Sequence, residues 1–566
     1  MRSLLIAMAL ATPAMAAPGD ADARLKAIYD ADWAWRLAES GDRLAGLETR
    51  PGPRLPCETP ACHQVRLAHW QQVASDIAGV ADADLSPSER VNKAVLAEWL
   101  RANIAGVRWR AHEMPINSDS NFWSYLPGQK GFDDEQGYRD YMARLRDMPR
   151  YFAEQQANMA AGLARGFTPP RVTMQGRDAS LAALGKADAW LVPFRSMPAS
   201  ISPATQAALR AEADAAIAGA VLPAVTKLLG YLRDTYIPQA RTSIAARDLP
   251  DGEAWYRDQV REFTTTSLTP EAIHQTGLSE VARIDADMRA TMAQTGFKGD
   301  FKAFLAFLRS DPQFYARSPD ELLGFSAYVM KRMDGRLKDI FTVLARYCFT
   351  LRPVPDAIAA KYTAGRGGLD ACYMNTYDLK SRPLFMLTAL TLHECVPGHS
   401  HQGAMALEAP AAPPFRRQTY FSGYGEGWGL YTEYLGRELG MYRNPYEEFG
   451  RESFENWRAA RLVVDTGMHL MGWRRQQAID YLAEHTALAP LDIEIEVDRY
   501  ISWPGQALAY KLGELTIRRL RSEAEAKLGP KFSLKRFHDT LLGLGSVPLP
   551  VLENEMRRWM AAEAGK

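Results

Sequence analysis

Thr391-Leu392-His393-Glu394-Cys395-Val396-Pro397-Gly398-His399-Ser400-His401-Gln402 closes an apolar stretch that runs from Pro383 to Leu392. Three of the 10 histidines of the chain fall inside it, beside a glutamate. In zinc hydrolases two histidines four residues apart share one helical face, and the glutamate after the first serves as base. Here the spacing is six. At ~100° per residue an unbroken helix would leave His399 ~120° away from His393. Pro397 alters that geometry, because it lacks the N–H that would bond the His393 carbonyl and biases Val396 out of helical dihedrals. Gly398 can take a left-handed turn. A two-residue bulge then returns His399 to the face of His393, with His401 as the rival second ligand.

Two histidines need a third ligand from elsewhere. Phe421-Ser422-Gly423-Tyr424-Gly425-Glu426-Gly427-Trp428-Gly429-Leu430-Tyr431-Thr432-Glu433 reads as the start of a second helix, with Glu426 in its first turn. A carboxylate there completes a two-His, one-Glu zinc site, with His393, His399 and Glu426 as ligands. Glu433, seven residues on, shares its face and is placed to orient a ligating histidine. The bland alternatives are histidines at a helix end without metal and a glycine-rich packing face. A His-Glu pair alone carries no information, and His112-Glu113 reads as surface.

These segments resemble the bacterial DUF885 family, whose hallmark is His-Glu-x-x-Pro-Gly-His followed by Glu-Gly-Trp. They are more distantly similar to gluzincin metallopeptidases. The resemblance spans residues 260 to 560 and is strongest in four blocks: Asn375-Thr376-Tyr377-Asp378, the histidine motif, Gly425-Glu426-Gly427-Trp428, and Arg499 to Lys511. It implies a mainly α, large helical gluzincin-like fold with zinc. Family members commonly carry His-His after the glycine, where this chain has His399-Ser400.

Further constellations are legible. Arg461, Asp465 and His469 recur every four residues, so they line one helical face as either a salt-bridge ladder or a semi-buried network. Gln506 and Tyr510 lie one turn apart if Pro504 begins a helix. Tyr510 and His469 are the candidates for stabilising a developing oxyanion, a recurrent need in zinc peptidases. Gly367 to Asp378 is the best strand, a small β element beside the site. It is suited to pairing with an extended peptide, with Asn375 as a contact. Arg461 and Gln506 complete the substrate-binding candidates.

Outward from the motifs, the chain of 566 residues is balanced, with 67 basic and 67 acidic side chains and 47% hydrophobic residues. That excludes a disordered protein and argues against a nucleic-acid partner. Apolar residues at three- and four-residue spacing predict helices over Pro270 to Gln294, Phe301 to Arg309, Pro319 to Arg346 and Phe454 to Trp473. Met1-Arg2, the apolar run Leu4 to Ala11 and Ala14-Met15-Ala16 read as a signal peptide over 1–16, with periplasmic or secreted export. Ala215 to Leu232 is interrupted by Pro223 and Lys227 and reads as a buried helix, so no stable membrane span is expected in the mature chain. The expected division is a helical region over 17–250 and a zinc-binding catalytic region over 251–566. Of five cysteines, Cys57 and Cys62 are near enough to pair; Cys348 with Cys372 is a weaker pair and Cys395 is left over.

The reading is an exported zinc-dependent peptidase acting on oligopeptides, with Glu394 as general base. Rival readings are a zinc hydrolase of a cell-wall amide or ester, and a binding protein with a vestigial metal site. Glu394 speaks against the last, since a structural site has no use for a base beside its first ligand.

Overall fold

The computed structural model describes residues 18–45, 48–409 and 412–566. The expected signal peptide lies outside them. The chain is mainly α-helical, and helices start where local chemistry says they should. Ser318, Thr269 and Asn444 each accept a backbone N–H three residues on, with proline as the first helical residue. Each such cap contributes ~1 kcal/mol. Helix Pro270–Gln294 has the predicted bounds, whereas Pro319–Ile340 stops short of Arg346.

Six helices build the site: α1 (Pro270–Gln294), α2 (Leu384–Glu394), α3 (His399–Glu408), α4 (Ser422–Glu438), α5 (Pro445–Leu470) and α6 (Ala509–Leu528). Helix α5 is the axis. It lies against α1, α2 and the following helix Arg475–His485, and is buried almost all round from Glu447 to His469. A helix enclosed this way normally carries only apolar side chains, yet α5 holds Arg451, Glu452, Glu455, Arg458, Arg461, Asp465 and His469. Arg451, Glu455 and Arg458 meet opposite charges within the fold. Lys511 on α6, fully buried, sits 3.0 Å from Glu455, 3.0 Å from Glu280 and 2.9 Å from Glu514. Such networks stabilise only while every member is present, because removing one partner strands a buried charge. Helices α4 and α6 touch backbone to backbone: a Cβ on Gly427 would lie 2.5 Å from the Gly513 carbonyl carbon.

The sheet beside the site is small and mixed. Strands β1 (Thr350–Pro353), β2 (Gly365–Arg366) and β3 (Ala371–Met374) are ordered β1-β3-β2, with β1 parallel and β2 antiparallel to β3. The expected strand Gly367 to Asp378 therefore shrinks to β3, and both its edges are taken. A peptide cannot add to it; only the outer edges of β1 and β2 remain.

The main apolar core joins N-terminal residues such as Leu25, Val95 and Leu100 to Ile284, Trp428 and Val464. A second cluster gathers Tyr138 to Tyr236. The apolar run there lies in a helical rod, Pro203–Gln239, long and apolar enough to cross a membrane by composition alone, with 39% of its window buried. Its inward residues Leu209, Ala213, Ile217, Val221, Val225, Leu228, Leu232 and Tyr236 mostly recur every four. That spacing outruns a 3.6-residue turn, and two wide π turns at Ile217–Val221 and Leu232–Tyr236 absorb the drift. One face packs and the other stays open.

Cys57 pairs with Cys62, as their spacing suggested. The expected Cys348–Cys372 pair is wrong: Cys372 on β3 bonds Cys395 at the end of α2, and Cys348 is free and exposed. His112-Glu113 is likewise not a surface pair. Glu113 is buried and accepts from Arg165 at 2.7 Å, and His112 stacks on His63.

Candidate metal centre

Helix α2 ends at Glu394, the Val396–Pro397 peptide is cis, and α3 begins at His399. The six-residue spacing is thus resolved by two helices with a break between them, and not by a bulge in one. Gly398 also differs from expectation. Its φ is −73°, so it is not left-handed; what it supplies is room, since a Cβ there would meet the His393 carbonyl oxygen at 1.8 Å. Trp428 of the Glu-Gly-Trp segment donates its indole N–H to the Pro397 carbonyl at 2.8 Å, tying the break to α4.

This arrangement brings His393, His399 and Glu426 together, with ligand atoms all within 4.8 Å of one another. Glu426 Oε2 lies 3.1 Å from His399 Nε2 and 3.6 Å from His393 Nε2. Tetrahedral zinc with bonds of about 2.0–2.2 Å sets its ligands roughly 3.3–3.5 Å apart, so the three residues fit such an ion. His393 Nδ1 lies 2.8 Å from Glu433 Oε1, which also meets Arg458 Nη2 at 3.1 Å. With Nδ1–H donating to that carboxylate, Nε2 presents its lone pair to the centre. The ring has its place because residue 429 is glycine: a Cβ there would lie 2.7 Å from His393 Cε1.

Electrostatics concur. Burial works against a charged His399, but Glu426 beside it prevails and raises its pKa to about 9. Burial would likewise raise Glu426, yet the two histidines hold it well below the usual range. The Glu426 carboxylate and the His399 ring thus stabilise each other's charge. His401 lies outside it. Its ring packs on Phe341, and burial lowers its pKa to about 4.

The centre opens onto a cavity of about 530 Å³. Glu394 lines it and accepts the Gly367 N–H at 2.6 Å; Ser400 Oγ accepts the next N–H, from Gly368, at 3.1 Å. The loop after β2 therefore clips onto both ends of the histidine motif, and the Cys372–Cys395 bond fastens the same sheet to α2. Tyr510 faces the cavity with its ring stacked 6.2 Å from that of His393. Burial and the nearby Glu426 charge push its pKa up, so it stays a phenol donor. Arg461 and Gln506 also line the wall. Gln506 opens a single 3-10 turn, and α6 begins only at Ala509, later than Pro504.

Other sequence candidates stand elsewhere. His469 is fully buried, accepts the Ala246 N–H at 3.1 Å and donates to the Tyr500 carbonyl at 3.0 Å. Both nitrogens are spent, so it has no donor for an oxyanion. Asp465 touches neither Arg461 nor His469. It accepts from Tyr256 Oη at 2.5 Å and from the Gly505 N–H, and burial raises its pKa to about 7. Neither a surface ladder nor one connected network results: the three are buried, as separate anchorages on one helix face. Asn375 is buried and spends its amide on the carbonyls of Ala359, Tyr362 and Thr363, which shapes a loop and leaves no donor for a peptide. Conversely, sequence reasoning passed over Arg458 and Tyr420 on the cavity wall, and gave Arg499, the first residue of the fourth block, no role at the site. Arg458 was findable, three residues before Arg461 on the same face.

The family model described as "Bacterial protein of unknown function (DUF885)" matches residues 44–556. The chain belongs to the DUF885 family. Membership reaches well beyond the 260-to-560 segment that carried the resemblance, into the N-terminal helices. Among solved structures, this DUF885 chain is similar to a "putative lipoprotein" from Colwellia psychrerythraea, at 27% identity and a TM-score of 0.84, covering 96% of this chain and 99% of that one. It is also similar to a "putative lipoprotein of unknown function" from Shewanella oneidensis, at 17% identity and a TM-score of 0.70, covering 96% and 100%. The second likeness speaks to the fold alone. No curated protein matches the chain. The two disulfides are consistent with an extracytoplasmic location.

Proposed function

We propose that this DUF885 protein is an exported zinc peptidase of gluzincin type that hydrolyses short peptides. The observation that carries the reading is the juxtaposition of Glu394 with the His393, His399, Glu426 cluster at the wall of one cavity. Zinc in such a site supplies Lewis acidity, acidifying water and polarising a carbonyl. Glu394, aimed by the Gly367 N–H, takes the proton from the attacking water and delivers it to the leaving amine. Tyr510 donates its phenol proton as a hydrogen bond to the oxygen that gains charge. Glu433 keeps His393 in the ligating tautomer. A cavity of about 530 Å³ suits a short peptide rather than a folded chain. Export after cleavage near Ala16, to the periplasm or beyond, accords with the disulfides.

The test is to purify the protein, measure its metal content, and incubate it with a mixed peptide pool read by mass spectrometry. About one zinc per chain and new termini that vanish on chelation are expected. A zinc-loaded chain that leaves every peptide intact, while cleaving a cell-wall amide or an ester, would move the reading to those substrates.

A further inference from the structure

Part of the cavity wall is strongly cationic. Arg458 and Arg461 reach it from α5, and Arg499 from helix Pro490–Ser502. All three are at least nine-tenths buried, with 2%, 2% and 9% exposure. Guanidinium groups so enclosed need carboxylate partners, and Arg458 has one in Glu433. Arg461 and Arg499 do not have one each. Both meet the same oxygen of Glu496, Arg461 Nη2 at 2.8 Å and Arg499 Nη2 at 3.4 Å. Two cations therefore share one anion. Arg461 Nη1 and Arg499 Nε are buried with no hydrogen-bond partner. Of the other acids on the cavity, Glu426 belongs to the metal centre and Glu394 is the base. Asp119 is exposed and attracts Arg499 without bonding it.

We infer that Arg461 and Arg499 form a carboxylate subsite, and that the substrate is a short peptide gripped by its free C-terminal carboxylate. This rests on the peptidase reading above. A guanidinium fork matches a carboxylate in two parallel hydrogen bonds and supplies the missing counter-charge. The reach is right. Arg461 Cζ lies 4.1 Å from the centre of the Tyr510 ring, itself 6.2 Å from that of His393, so the guanidinium is within about 10 Å of the metal ligand. An extended chain advances ~3.3–3.6 Å per residue. With the scissile carbonyl at the centre, a carboxylate one or two residues further on meets the arginines. The enzyme then trims one or two residues from a C-terminus.

The test compares tetra-alanine, its C-terminal amide, its N-acetyl form and an amidated, N-acetylated peptide with one internal glutamate. Binding is read by calorimetry on the zinc-loaded Glu394→Gln chain, and cleavage on the zinc-loaded parent chain. Amidation is expected to weaken binding and lower kcat/KM by roughly 100-fold, the worth of a charge-assisted pair, while N-acetylation changes neither more than about twofold. Arg499→Gln should bring binding of the free acid down to the level of the amide; because Arg499 Nη2 also meets Tyr510 Oη at 3.4 Å, binding and not cleavage is the readout for this variant. Since that variant stands on a shared pair, its fold is checked by circular dichroism, and Arg499→Lys should recover part of the binding. Equal binding and cleavage of acid and amide would overturn the inference, with the peptidase reading intact. Preference for the internal glutamate would overturn the terminal assignment. Selective binding of the acid with no cleavage of any peptide would sustain the subsite and defeat the peptidase reading.

Discussion

The proposed function gives Glu394 and His393, neighbours in the chain, separate tasks, and substitution separates them. Glu394→Gln preserves size and the Gly367 contact but accepts no proton, so zinc content should stay near one per chain while turnover falls about 10²- to 10⁴-fold. Tyr510→Phe removes only the phenol donor and should cost turnover ~10²-fold with unchanged zinc. His393→Ala, His399→Ala and Glu426→Ala should each lose the metal, measured by elemental analysis after dialysis. His401→Ala should keep it, because His401 packs on Phe341 away from the centre; zinc lost from that variant and held by His399→Ala would reverse the ligand assignment. The residues that cluster at the centre could be picked out from the sequence because each is a rare residue at a telling spacing. The roles of His469 and Asn375 could not, since both use their polar atoms on backbone groups far away in the chain.

Among the elements, α4 controls the centre through a missing side chain. Gly429→Ala would drive a methyl into the His393 ring, so zinc affinity should fall at least tenfold while the helix itself forms as well or better. Competition with a chromogenic chelator measures this. Helix α5 sets a pH limit. Burial depresses His469 to about 3, and His538 on helix Leu534–Gly543 to about 3 as well. Both stay neutral in the fold, whereas unfolded histidine takes a proton below about 6.5. Their stabilising contribution is therefore complete above about pH 6.5 and is lost as pH falls towards 3, on the order of 5 kcal/mol each at the acid end. Unfolding followed by urea at pH 7 and 4.5 should show the loss, with a shallower pH slope in His469→Gln. The helix starts were legible because proline and capping residues are local signals. The break at Val396 to Gly398 and the Cys372–Cys395 link were not, since each is settled by what packs against it.

At the scale of the whole molecule, the apolar core runs through both halves of the chain and reaches the histidine motif through Leu392, Val396 and Trp428, while the metal centre lies at one wall of a cavity. Chelation should abolish hydrolysis and leave the far-ultraviolet helical signal unchanged while the urea midpoint falls, because zinc held only by the folded chain stabilises it; added zinc should restore both. A helical protein of neutral charge was readable from composition and spacing. The cationic cavity wall was not, because 67 basic against 67 acidic residues conceal where the unmatched charges lie. The central claim is that Glu394 works on a water at a zinc held by His393, His399 and Glu426. Its most direct test is one purified Glu394→Gln sample assayed for both zinc and peptide cleavage beside the parent chain. The account predicts about one zinc in each and a rate at least 100-fold lower in the variant; a variant that holds its zinc and cleaves peptides at the parental rate would contradict it.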